Sequence, residues 1–224
     1  MRLLRGRASD YERDAARTRE MVARADAEPA LRVWRPHRQV AFGRRDRRAA
    51  GYDRARQAAT ERGYAVLERE VGGRAVAYTG STVAFALAEP TATDHEGIGE
   101  RYDRVSRATR RALATVGVDA SEGEPPDSFC PGTHSLQADG KLVGIAQRVR
   151  QDVALTAGLV VVRDHDTAAA VLSPVYDALG VSFDPDSVGS VARAGGTGDG
   201  LLDALETELV GPRSVTSRGY IRDT

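Results

Sequence analysis

Three segments of this 224-residue chain hold residue types that could do chemistry. The first is Glu68-Arg69-Glu70-Val71-Gly72-Gly73-Arg74-Ala75-Val76. Adjacent glycines let backbone N–H groups approach a phosphate, and flanking arginines would neutralise its charge. It is neither GxGxxG nor a Walker loop, since no GK[ST] follows, and an ordinary Gly-Gly hairpin fits the same residues. The second is Asp139-Gly140-Lys141-Leu142-Val143-Gly144-Ile145-Ala146-Gln147, which contains the sole lysine among 32 basic residues. A chain that uses Arg for every other cation keeps Lys here, where a compact ammonium on a flexible stem differs most from a planar fork. Gly144 leaves room for something to lie against the backbone. The third is Cys130, in Ser128-Phe129-Cys130-Pro131-Gly132-Thr133-His134-Ser135. A cysteine near a histidine suggests a nucleophile and its base, although a lone cysteine also serves as a small inert hydrophobe. His37, His95 and His165 have no metal-ligand spacing, and no metal ligands are assigned.

The elements that must position these segments follow from periodicity. Ser9 and Glu12 form a capping-box start, and a helical face from Tyr11 to Ala25 predicts an amphipathic helix over 10–26. Strands are expected at Leu31–Trp34 and Gln39–Phe42, with a helix over 51–62 ending at Gly63. Strands at Tyr64–Glu70, Ala75–Tyr78 and Thr82–Leu87 follow, the last with alternating Val83, Phe85 and Leu87. Residues 97–115 give the clearest helix, and 121–132 a Pro-rich loop. Leu136–Gln147, turning at Asp139-Gly140, and Val153–Val162 read as strands; 167–179 and Leu201–Val210 read as helices. Without a regular β-α-β beat, the fold class is α/β of the α+β kind, a mixed central sheet flanked by helices.

Composition narrows the function classes. A hydrophobic fraction of 41% can bury a core, and one cysteine excludes an internal disulfide framework. No apolar run is long enough for a membrane span and the N-terminus lacks a signal-peptide core, so a cytoplasmic location is expected. The zero net charge hides a balance of +7 over residues 1–50 against −7 over the rest. That basic segment reads as solvated surface or as a docking face. No aromatics interleave it as a single-strand nucleic-acid platform requires, so no nucleic-acid partner is expected.

In order along the chain, Phe42-Gly43-Arg44, Arg69-x-Val-Gly-Gly-Arg-Ala-Val and Lys141-Leu-Val-Gly-Ile-Ala-Gln resemble the catalytic domain of lipoate–protein ligases and the related octanoyltransferases. The resemblance spans roughly residues 30–162. The departures are Glu68 for the family's first arginine, Val71 for Ser/Thr, Tyr78 for His, Ile145 for Ser and Ala157 for His. The resemblance implies one catalytic domain over 1–210, a frayed tail over 211–224 and no C-terminal accessory domain, which a separate polypeptide would supply if needed.

The activity it implies is ligation: ATP with Mg²⁺ and lipoate or octanoate form an acyl adenylate, and the acyl group passes to a lysine of a lipoyl-carrier domain. That carrier would belong to a 2-oxoacid dehydrogenase or the glycine cleavage system. By carry-over, Arg69 and Gly72, Gly73, Arg74, Ala75, Val76 and Ala77 would hold the nucleotide, with Gly144 beside it. Lys141 would bridge carboxylate and α-phosphate. Apolar positions around Val76, Val83 and Phe85 would wall the acyl chain or belong to the core. The alternative is octanoyl transfer from an acyl carrier protein through a Cys130 thioester, because Cys130 and Ser135 have the Cys-x4-Ser spacing of one transferase subgroup. A non-catalytic nucleotide- or carrier-binding module is the reading from another class.

Overall fold

The computed structural model describes residues 1–91, 97–150 and 152–221; His95 lies outside them. Eleven strands and five α-helices make up the described chain. They are β1 (Arg2–Arg5), α1 (Tyr11–Ala23), β2 (Ala30–Trp34), β3 (Gln39–Phe42), α2 (Tyr52–Glu61), β4 (Ala65–Glu68), β5 (Val76–Tyr78), β6 (Val83–Pro90) and α3 (Ile98–Thr115). Then come β7 (Ser121–Glu122), β8 (Ser135–Gln137), β9 (Lys141–Arg150), β10 (Val153–Val160), α4 (His165–Leu179), α5 (Leu201–Val210) and β11 (Ser217–Tyr220).

A large mixed sheet runs in the order β11-β1-β2-β6-β10-β9-β8-β7, and a small sheet in the order β4-β3-β5. The mixed α/β architecture read from the sequence is the one observed. One face of the large sheet packs on α3 and α5 through Val83, Phe85 and Leu87 of β6 with Val105, Leu113 and Leu205. The small sheet packs on α2 and α4 through Phe42, Ala55, Ala59, Leu172 and Tyr176, joined by Leu159 of the large sheet. α1 covers a third cluster of Met21, Ala25, Ala86 and Ala88. Beneath it, fully buried Arg32 is paired with Asp14, and Trp34 donates from Nε1 to Asp14 at 3.0 Å.

Several local expectations change. The first helix is capped one residue later than Ser9, by Asp10 accepting from the Arg13 N–H at 2.8 Å. The charged N-terminus is a strand, and the tail is not frayed throughout. Ser217–Tyr220 pairs in parallel with Arg2–Arg5, because β1 offers an open sheet edge. The Gly72-Gly73 segment is not a hairpin turn. β4 and β5 lie on opposite sides of β3, so this segment must cross over the end of β3.

Candidate active site

That crossing places the glycine segment against the end of β3. Arg45 N–H donates to Gly73 C=O at 3.2 Å. A Cβ on Gly43 would lie 2.4 Å from the same carbonyl oxygen, so only glycine permits the approach. Buried Asp46 fastens the junction, accepting from the Gly43 N–H at 2.9 Å and from Arg74 at 3.4 Å. Burial pushes the Asp46 carboxyl above its ordinary range, against the pull of those donors. Gly72, at φ +90°, packs on the guanidinium of Arg69, where a Cβ would come within 2.7 Å.

Cys130 comes to this segment from the loop between β7 and β8. Arg69 donates from Nη2 to Cys130 Sγ at 3.1 Å and to Arg74 C=O at 2.7 Å. The backbone N–H groups of Arg74 and Gly73 also favour the thiolate. Burial pushes the thiol up, but Arg69, these N–H groups and Lys141 together bring it below the ordinary thiol range. The loop backbone is clamped as well. Tyr176 on α4 accepts from the Cys130 N–H at 2.6 Å and donates to Ala75 C=O at 2.9 Å, joining the cysteine loop to the glycine segment.

Lys141 lies behind this loop. Its side chain is fully buried, and Nζ donates to Glu124 Oε2 at 2.6 Å, Phe129 C=O at 2.8 Å and Cys130 C=O at 3.0 Å. Glu124 also accepts from Ser135 Oγ at 2.7 Å and from the Gly132 N–H at 2.9 Å. Burial pushes the Glu124 carboxyl up, yet the Lys141 and Ser135 hydrogen bonds leave it below its usual value. Burial lowers the Lys141 ammonium despite its partner.

A cleft of about 850 Å³ opens between the two sheets beside Cys130. Its floor is the face of the large sheet opposite α3. Ala146, Ala157 and Ala86 pair across β9, β10 and β6, and Gly144 lies two residues along β9. These small side chains leave a trough over the sheet. Arg69, Val71, Val76 and Tyr78 line the other side with Cys130.

The structure therefore brings Arg69, Gly72, Gly73, Arg74 and Cys130 together, with Gly144 and Val76 on the cleft. Ala77 in β5 and Ala75 just before it are both buried. Lys141 sits next to Cys130 but does not line the cleft. Val83 belongs to the core against α3, as does the ring of Phe85, which covers the Cβ position of Gly158 at 2.3 Å. His134 is stacked on Tyr102, with ring centroids 3.6 Å apart. It is not a hydrogen-bonded base for Cys130. Sequence reasoning missed Tyr176, Glu124 and Asp46. Tyr176 reads as helix core, Glu124 as a solvated loop carboxylate, and Asp46 as an acid among surface arginines. Among the described residues, no three His, Cys, Asp or Glu side chains converge as a metal site, and no helix is long and apolar enough to cross a membrane.

The site is thus a glycine segment folded over a cleft beside Cys130, on a mixed sheet flanked by helices. The comparisons give the family: residues 10–195 match the model for the lipoyl protein ligase A/B catalytic domain, and the chain belongs to that family. It is 28% identical over 158 residues to an octanoyl-[GcvH]:protein N-octanoyltransferase of Geobacillus kaustophilus, covering 70% of this chain and 56% of the relative. It is 25% identical over 152 residues to a lipoyl-[GcvH]:protein N-lipoyltransferase of Listeria monocytogenes, covering 67% and 55%. The aligned region thus spans just over half the length of these curated relatives. A lipoate-protein ligase A crystallised with ATP superposes with a TM-score of 0.75 at 20% identity, covering 99% of this chain and 89% of that one. A lipoate protein ligase structure from T. acidophilum with lipoic acid superposes at 0.71, again at 20% identity, covering 99% and 89%. At that identity the likeness establishes the shared fold.

Proposed function

We propose that this chain moves an octanoyl or lipoyl group between carrier proteins through a thioester on Cys130. One observation carries the reading: Cys130 lines the cleft and its sulfur accepts from Arg69 Nη2 at 3.1 Å, with the backbone of Gly73 and Arg74 also favouring the charged form. These donors favour the thiolate, the nucleophilic form, at neutral pH. The names of the curated relatives, which are transferases acting on GcvH, support the same chemistry.

In the first step, Sγ attacks the acyl carbonyl of the donor carrier. A C–S bond forms and the bond to the carrier lysine nitrogen breaks. The attacking group is the thiolate, so the departing amine takes its proton from solvent. Arg69 and the Gly73 and Arg74 N–H groups stand where negative charge develops on the tetrahedral oxygen or returns to sulfur. The alanine trough holds the chain, and its closure by the chain excludes water from the thioester. In the second step, a lysine amine of a lipoyl domain attacks the thioester. A C–N bond forms, the C–S bond breaks and the surplus amine proton passes to solvent.

ATP-dependent ligation, the activity first expected from the sequence, calls for the glycine segment to cradle phosphates and for Lys141 to reach the acyl carboxylate. Here Arg69 beside the glycine segment donates to Cys130 Sγ, and Lys141 spends its three donors on Glu124 and the cysteine loop. The transferase reading fits these contacts better. It is tested by incubating the chain and an apo lipoyl domain with octanoylated GcvH, with octanoyl acyl carrier protein, or with octanoate, ATP and Mg²⁺. Transfer from a carrier without ATP, lost in Cys130→Ser, is the expected result. Transfer only with octanoate and ATP, retained in Cys130→Ser, would establish the ligase instead.

A further inference from the structure

The geometry points to Lys141 and Glu124 as a latch of positioning residues that holds Cys130 in its working conformation, and this inference rests on the transferase reading above. Cys130 has φ +43°, a left-handed backbone that a side chain adopts only when its surroundings impose it. Two groups impose it here. Tyr176 holds the N–H, and Lys141 holds the C=O of both Cys130 and Phe129.

Lys141 in turn is held by Glu124, and Glu124 reaches forward to the Gly132 N–H and the Ser135 hydroxyl on the far side of the cysteine. The loop is therefore gripped before, at and after residue 130 by one ion pair. The shell also explains why the only lysine of the chain stands here. Three acceptors converge on one nitrogen at 2.6, 2.8 and 3.0 Å in a space with no solvent access. An ammonium has three donors radiating from a single atom, whereas the donors of a guanidinium are spread across a plane. With its proton donors committed and its head behind the loop, Lys141 acts on the reaction through Cys130.

A latch and a simple charge effect make opposite statements about Glu124. Removing a nearby anion favours a thiolate on electrostatic grounds alone, which would speed its alkylation. Loss of a latch lets residue 130 relax from its strained backbone, takes the sulfur away from Arg69 and the N–H groups, and slows alkylation. The test is iodoacetamide labelling of Cys130 in the full chain across pH, followed by intact mass, for wild type, Glu124→Ala and Ser135→Ala. Ser135→Ala removes the forward hydrogen bond to Glu124 without changing any charge, so it serves if Glu124→Ala does not fold.

Labelling at pH 7 about tenfold slower in both variants, with profiles moved toward an ordinary thiol of pKa about 8.5, is expected. Glu124→Ala labelling as fast as wild type or faster would overturn the latch, as would a Ser135→Ala profile that superimposes on wild type. Failure of the transferase reading is separately visible: wild-type chain would take no acyl group from octanoylated carrier, whatever the alkylation profiles.

Discussion

Arg69 and Cys130, 61 residues apart in sequence, meet with the guanidinium Nη2 3.1 Å from the sulfur. The contact joins the glycine segment to the cysteine loop. Both segments are handles on one thiol.

The first consequence concerns pH. Arg69 and the N–H groups hold the Cys130 thiol below its ordinary value against the upward push of burial. A lowered pKa means that the reactive thiolate persists to lower pH than in a free cysteine. Acyl transfer should therefore rise with pH and reach its plateau below about 8.5, the value for an unperturbed thiol. Arg69→Met removes the nearest cation, so the rising limb should move to higher pH. Rate-against-pH curves for the two proteins check this; coincident limbs would show that Arg69 does not act on the thiol.

Tyr176→Phe removes one hydroxyl that serves two loops. The Cys130 N–H and Ala75 C=O, bonded at 2.6 and 2.9 Å, lose their partner in a buried setting. An unsatisfied buried backbone group costs about 1–3 kcal/mol, so chemical denaturation should show a loss of that size with an unchanged slope. Transfer should fall further than stability, because the loop that carries the nucleophile is the part released.

Gly43→Ala tests the crossing of the glycine segment. Its Cβ would fall 2.4 Å from the Gly73 carbonyl oxygen and 2.9 Å from Arg74 N, both backbone atoms. The segment must lift, taking two N–H donors from the sulfur. Destabilisation of about 1–3 kcal/mol is expected from overpacking, with slower Cys130 alkylation at pH 7. Gly63→Ala is the control, since its Cβ meets nothing within 4 Å although its φ is +74°. It should cost stability alone.

Much of the architecture was legible. The face of α3 around Val105, Ala108, Ala112 and Leu113 is buried as its periodicity requires, and α5 has the bounds read from the sequence. The turn at Asp139-Gly140 and the alternation of Val83, Phe85 and Leu87 also hold. What failed was non-local. Nothing in Ser217–Tyr220 shows that an open edge at β1 awaits it, and Gly72-Gly73 looks the same in a hairpin as in a crossing segment. The site divides the same way. Arg69, Gly73 and Cys130 were recognisable as chemistry-bearing types, but their meeting depends on the order of strands β4, β3 and β5. Tyr176 and Glu124 act through single atoms placed by the fold, and no spacing in the sequence marks them.

The most direct test of the central claim is intact mass spectrometry of the wild-type chain after brief exposure to octanoylated GcvH without ATP. An increase of one octanoyl group on the protein is expected, mapped to Cys130, absent in Cys130→Ser and discharged on adding apo lipoyl domain. An unmodified wild-type chain under conditions where the lipoyl domain becomes octanoylated, or equal transfer by Cys130→Ser, would contradict it.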